Sequence, residues 1–293
     1  MSVPPSAPPT RRLVLAGALV AGITSLTGCG VRLEDDAPHI PFVPTRDPIP
    51  GESALLAVLG TLTDSDEEHA AERADLLREA LLDAQVPEDL VTGAAAPAGA
   101  GERIPAFEGA VRDCGQGMLP LVGRLVATHR IVTDAAAETG ADADTMWTRP
   151  DTGPWERAVV AADALQATRA AIYALDLIAA KADSASVTAQ VRAASAGLGD
   201  IGVRQTTAAG DAVEPVALGY DVPHRLTTEE AQELGRQTFT RLLAAYASGF
   251  ARLGADRDAA LEVVHWMVTA ERLSRPRFRL PVPVLYGDDT SSS

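Results

Sequence analysis

WERAVVAADALQATRAAIYALDLIAAK, residues 155–181, decides the fold. Trp155, Val159, Ala162, Leu165, Ile172 and Leu175 recur at steps of three, four and seven, the spacing that lines up side chains on one face of an α-helix. Ala, Leu, Glu and Arg dominate the chain and alternating β-branched runs are scarce, so neighbouring segments read the same way. Three further helical stretches follow, at about 187–211, 228–253 and 256–273, and four is the number a helical bundle needs. Thr227-Thr228-Glu229-Glu230 is a capping box opening the third of the four, and Gly254 closes it. The connection Gly210–Pro223 is long enough to cross between helix ends, with Val213–Val222 expected to pack as an extended segment. The expectation is an all-α chain with a four-helix bundle over 155–275.

Upstream, 52–148 reads as a further helical region that caps the bundle or forms a second helical unit. A short helix is expected from Glu52 to Thr61. Ser65-Asp66-Glu67-Glu68 has capping-box form, Leu77, Leu81 and Ala84 share the next helical face, and Val86-Pro87 ends it. Val91–Gly101, rich in Ala, Gly and Pro, reads as a loop. Helix resumes near Pro105 and continues to Glu138, broken at Gly115, Gly117 and Pro120. Residues 149–154 form the clearest linker. The tail, 276–293, carries three prolines and closes on serines, so it is expected to be irregular and partly disordered.

The first residues carry an address. Arg11 and Arg12 precede an uncharged run, Leu13–Thr27, which is shorter and less apolar than the roughly 20 residues of a spanning helix. Leu26-Thr27-Gly28-Cys29 follows at the point where an export signal is cleaved. That box resembles a bacterial lipobox, which implies a signal peptide over 1–28, cleavage after Gly28 and diacylation of Cys29. Arg11-Arg12 also looks like a twin-arginine export signal. The mature chain would then be held at the extracytoplasmic face of the membrane through lipid on Cys29. Between Cys29 and Gly51, Pro38, Pro41, Pro44, Pro48 and Pro50 forbid helix and favour an extended tether, which could span roughly 60–70 Å if stretched.

Charge excludes some partners. Residues 1–28 hold two arginines and no acid, so the remainder counts 23 basic against 40 acidic side chains, a net charge of −17. Nucleic acid is not an expected partner, because Lys and Arg neutralising phosphate supply most of that affinity. With Cys29 taken by lipid, Cys114 is left without a disulfide partner and reads as a small buried core residue.

Ala164-Leu165-Gln166-Ala167-Thr168-Arg169-Ala170-Ala171-Ile172-Tyr173, Leu218-Gly219-Tyr220-Asp221-Val222-Pro223 and Ala244-Ala245-Tyr246 carry a resemblance to a ferritin-like domain of unknown function found in actinobacterial lipoproteins. It covers about 155–272. The resemblance implies a bundle with inward carboxylates and imidazoles for iron or manganese. The family pattern Glu-His-Ala-Ala-Val-Tyr stands where this chain has Thr168-Arg169-Ala170-Ala171-Ile172-Tyr173, so that Glu and His are gone. A di-metal bundle needs a Glu from each of two helices and Glu-x-x-His from each of the others. Glu262-Val263-Val264-His265 is the one strict copy, making Glu262 and His265 the metal-ligand candidates, with Asp66-Glu67-Glu68-His69 a looser copy. Asp221-Val222-Pro223-His224 reads as turn chemistry. The ordinary role for Glu262 is a solvated side chain, and for His265 a ring packed beside Trp266. Arg169 lies in the inward stripe between Leu165 and Ile172. If buried, it requires an acid such as Asp211 or Glu262; otherwise its stem packs and its head reaches water.

No phosphate loop, nucleophile elbow or Cys-x-x-Cys is present. Three functions compete. The first is a lipid-anchored, extracytoplasmic, non-catalytic structural or interaction module without cofactor, acting through a protein partner or a second copy of itself. The alternative is a ferritin-like metal-binding protein or oxidase with an atypical site. A ligand carrier ranks last, because the α/β alternation of common binding-protein folds is missing.

Overall fold

Local signals place most of the helices where the sequence puts them. In the computed structural model, which describes residues 46–136, 147–150, 153–213 and 225–288, nine α-helices are seen among the described residues. They are α1 (Glu52–Thr63), α2 (Ala70–Asp83), α3 (Glu88–Thr92), α4 (Ala100–Asp113) and α5 (Leu119–Ala136), then α6 (Ala158–Lys181), α7 (Ala185–Ala209), α8 (Thr228–Gly249) and α9 (Arg257–Phe278). The described residues contain no strand, only an isolated bridge between Ala182 and Leu226. The chain is all-α. No described helix is long and apolar enough to cross a membrane.

Backbone hydrogen bonds between helix ends give the course of the last four helices. Trp155 N–H donates to Ala208 O at 2.9 Å, so the end of α7 lies beside the start of α6. Leu226 N–H donates to Lys181 O at 3.1 Å, so α8 starts where α6 ends. Helices α6 and α7 are therefore antiparallel, whereas α7 and α8 run the same way. The end of α7 and the start of α8 therefore lie at opposite ends of α6. Helix α9 returns antiparallel to α8, and its Leu273 and Phe278 press so closely on Gly197 and Gly235 that a Cβ at either glycine would collide with them.

The capping box at α8 is formed: Thr227 Oγ1 accepts from Glu230 N–H at 3.2 Å, and Glu230 Oε2 accepts from Thr227 N–H at 2.8 Å. Gly254 adopts φ 64°, the left-handed turn expected of a helix stop.

Several boundaries need correction. Ser65-Asp66-Glu67-Glu68 does not cap a helix. Helix α2 begins at Ala70, and the fully buried Arg73 guanidinium donates to Glu68 O at 2.7 Å, holding the preceding residues as a turn. Val91, expected in a loop, belongs to α3 and is buried. The upstream helix starts at Ala100 instead of near Pro105, and its expected break does fall at Gly115 and Gly117, between α4 and α5, with Pro120 inside α5.

The tail beyond 276 is only in part irregular. Helix α9 continues through Pro276 to Phe278, and the segment after it buries Leu285 and Tyr286. Backbone contacts explain this, since Tyr286 N–H donates to Thr128 Oγ1 at 2.9 Å and Arg124 Nε donates to Tyr286 O at 3.3 Å. Just before 149–154, Thr148 is bound to Glu108, and within it Pro150 O accepts from Arg204 at 3.1 Å.

Asp47–Ser293 makes one compact unit. The upstream helices pack on α9 through α4 and α5, so the two regions share one core instead of folding apart. Leu55, Leu59, Phe107, Leu125, Trp266 and Met267 are almost fully buried within it. Each such side chain contributes about 1.5–3 kcal/mol by leaving water.

Candidate functional site

Helices α6, α7, α8 and α9 bring buried polar side chains together. On α6 that group is Thr168, fully buried, and not its neighbour Arg169, which is half-buried. One residue is about 100° of helix rotation, enough to exchange interior for rim. Tyr246 of α8 lies 2.6 Å from Thr168 Oγ1, and Gln205 Oε1 of α7 lies 2.7 Å from it. The Thr168 hydroxyl also reaches Ala164 O at 2.9 Å, so its single proton serves one of two acceptors while the Tyr246 phenol donates to it. Burial pushes the Tyr246 hydroxyl up to about 12, against the opposing hydrogen bonds of Thr168 and Gln205. The phenol stays protonated. Gln205 Nε2 is buried without a hydrogen-bond partner.

Trp266 of α9 continues the cluster outward. Its ring tilts against Tyr246 at 5.9 Å and stacks on Trp155 at 4.9 Å. Its indole N–H donates to Glu262 Oε1 at 2.8 Å. Arg204 of α7 grips the same carboxylate with two bonds, Nε to Oε1 at 2.5 Å and Nη2 to Oε2 at 2.8 Å. These bonds raise Arg204 further above its ordinary value, against the cost of burial. Beside the pair, a cleft of about 190 Å³ opens between Pro150, Trp155 and Asp256.

Glu262 is therefore not solvated. It is only 2 % exposed and closed by a bidentate guanidinium, the arrangement that best satisfies a buried carboxylate. Arg169, which would have needed such an acid only if buried, is half-buried at the rim, and Arg204 is the partner of Glu262. Asp211, the other acid considered for Arg169, is exposed in a 3-10 turn. His265 is half-buried, and its Nε2 lies 3.4 Å from Thr269 Oγ1. The looser copy is divided as well, with His69 on Glu72 at 3.3 Å and Glu67 on His129 at 3.3 Å.

A metal centre does not fit these donors. Glu262 has both oxygens engaged, and no group of three His, Cys, Asp or Glu side chains gathers for a metal ion among the described residues. Cys114 is buried and its thiol is pushed above its ordinary range by desolvation, with only partial relief from Arg257. Arg11, Arg12, Leu26, Gly28 and Cys29, the proposed export and lipidation residues, lie outside the described residues, as do 214–224 with the Leu218–Pro223 and Asp221–His224 motifs and most of Val213–Val222.

Sequence reading missed Thr168, Arg204 and Gln205. Arg204 and Gln205 are adjacent in sequence, and nothing local marks one as the partner of Glu262 and the other as part of the buried network.

What fold and site define is an all-α protein with a neutral polar network and a closed ion pair at the level where a bundle could hold ligands. Compared with models of known families, with curated proteins and with solved structures, the chain finds no match.

Proposed function

We propose that this chain is a lipid-anchored, extracytoplasmic helical protein acting as a non-catalytic structural or interaction module. The ferritin-like plan is supported by the antiparallel pairs α6/α7 and α8/α9, with α8 starting at the end of α6 opposite to where α7 ends, as ferritin-like folds arrange them. The observation that carries the functional reading is the state of Glu262. The carboxylate of the one strict Glu-x-x-His is locked by Arg204 and Trp266, and Thr168 stands in place of the carboxylate that the resembling family has on α6. A guanidinium supplies the positive charge that a metal would otherwise bring to Glu262. The anchor is Cys29, by the logic of the Leu26–Cys29 box.

Two measurements test this. Metal analysis of the full chain, purified without chelator and then reloaded with iron, manganese or zinc, is expected to find no stoichiometric metal. About one or two equivalents per chain, lost in Glu262→Ala and His265→Ala, would overturn the non-catalytic reading. Fractionation of expressing cells is expected to find the chain with membranes and Cys29→Ala in the soluble fraction. An unchanged distribution would overturn the anchor.

A further inference from the structure

We propose that the segment after α9, Arg279–Asp288, is a displaceable strap lying in a groove between α5 and α8, and that this groove binds an extended peptide segment of a partner protein with the strap's own chemistry. The inference rests on the interaction-module reading and names the face that interacts.

The strap is fastened at one point. Leu285 and Tyr286 are buried, whereas Arg279, Pro281 and Asp288 are exposed. On the α5 wall, Tyr286 N–H donates to Thr128 Oγ1 at 2.9 Å, Arg124 Nε donates to Tyr286 O at 3.3 Å, and the Arg124 guanidinium pairs with Asp288. On the α8 wall, Gly287 comes so close that a Cβ would lie 2.3 Å from Ala247 Cβ, and its φ of 88° is one that other residues rarely adopt. Bonds to backbone, a buried side chain and a charge at the end are the means by which a groove reads an extended peptide.

Little holds the rest of the strap. Residues 280–284 make no backbone–backbone hydrogen bond among the described residues, and Pro281 and Pro283 have no N–H to give. Where the strap arches over α8, a cleft of about 80 Å³ remains between Leu280, Pro281 and Pro283 on one side and Thr240 and Leu243 on the other. A well-packed interior leaves few gaps larger than a water molecule, so the strap fills its groove incompletely. Lifting it breaks no helix, because α9 ends at Phe278, whose ring is lodged against Gly235.

The strap therefore specifies the ligand. It is an extended segment with an aliphatic residue and a tyrosine in succession, then glycine, then an acid for Arg124. A competitor gains if it also carries a bulkier apolar side chain over the cleft. In the intact chain the tethered strap competes at an effective concentration on the order of millimolar, so the groove stays closed to weak ligands.

Fluorescence anisotropy of a fluorescein-labelled synthetic peptide, Leu280–Asp288, tests this on the full chain. Tyr286→Ala removes the strap's anchor and leaves the groove intact, so the peptide should bind it saturably and at least about tenfold more tightly than it binds the wild type. Gly287→Val, which lifts the strap from Ala247, should bind likewise. A peptide carrying Tyr286→Ala should bind either variant at least about tenfold more weakly than the unaltered peptide does. No saturable binding to variants whose circular dichroism matches the wild type, equal affinity for the wild type, or equal binding of the altered peptide would each overturn the proposal. Loss of the fold in both variants would overturn it too, since the segment would then belong to the core. Metal content and fractionation are independent of these outcomes, so failure of the strap and failure of the module reading are told apart.

Discussion

Arg204→Ala should be among the most damaging single substitutions in the bundle. It leaves Glu262, 2 % exposed in the intact pair, with one indole N–H in place of three donors. Removing one partner of a buried pair costs about 3–5 kcal/mol, because the remaining charge has been taken out of water without compensation. For a folded unit of this size each kcal/mol moves Tm by about 2–4 °C, so a loss of roughly 6–20 °C is expected. Glu262→Gln should cost less, about 1–3 kcal/mol. Gln still accepts from Trp266, and Arg204, with a side chain 21 % exposed, keeps Pro150 O and water. The double variant Arg204→Ala/Glu262→Gln should therefore lose less than the sum of the two single changes. Urea unfolding and calorimetry of the full chain measure all three. A cost below about 1 kcal/mol for Arg204→Ala, or a larger cost for Glu262→Gln than for Arg204→Ala, would refute the reasoning.

Other substitutions probe the surroundings. Arg169→Ala should change stability by no more than about 0.5 kcal/mol, since the residue is half-buried at the rim; a larger loss of Tm would restore it to the interior. Gly199→Ala, with nothing within 4 Å of the added methyl group, should stabilise α7 by about 0.5–1 kcal/mol, whereas Gly60→Ala would drive a Cβ into the Ala95 backbone and should destabilise by urea unfolding. Burial lifts Glu271 to about 6, so the folded state binds its proton more tightly than the unfolded chain does. Stability should then be greatest below the unfolded value and decline by about 1–2 kcal/mol as pH rises through 6, and Glu271→Gln should remove that decline in a pH series of melts. Cys114 should react with a thiol reagent only after unfolding, and rapid labelling of the native chain would contradict its burial.

Much of the fold was legible because its signals are local. Periodicity in 155–181 yields α6 to within three residues, and the Thr227–Glu230 box and Gly254 bound the following segments because capping depends on neighbours a few residues apart. The Ser65 box failed because burial of a nearby side chain won: Arg73, fully buried and only five residues on, took the Glu68 carbonyl for itself. Pro276 did not end α9, and the irregular tail after Phe278 is pinned by Thr128 and Arg124, which lie more than 150 residues away.

The sequence alone determined helical class, the number and approximate bounds of the bundle helices and the acidic balance, since propensity, periodicity and composition are properties of short segments. Only the tertiary structure decided which polar residues meet inside. Thr168 faces inward and Arg169 does not, because rotation about the helix axis is set by what packs against it. Arg204 and not Arg169 closes Glu262, and the upstream helices join the bundle core, because desolvation cost and packing act between segments remote in the chain.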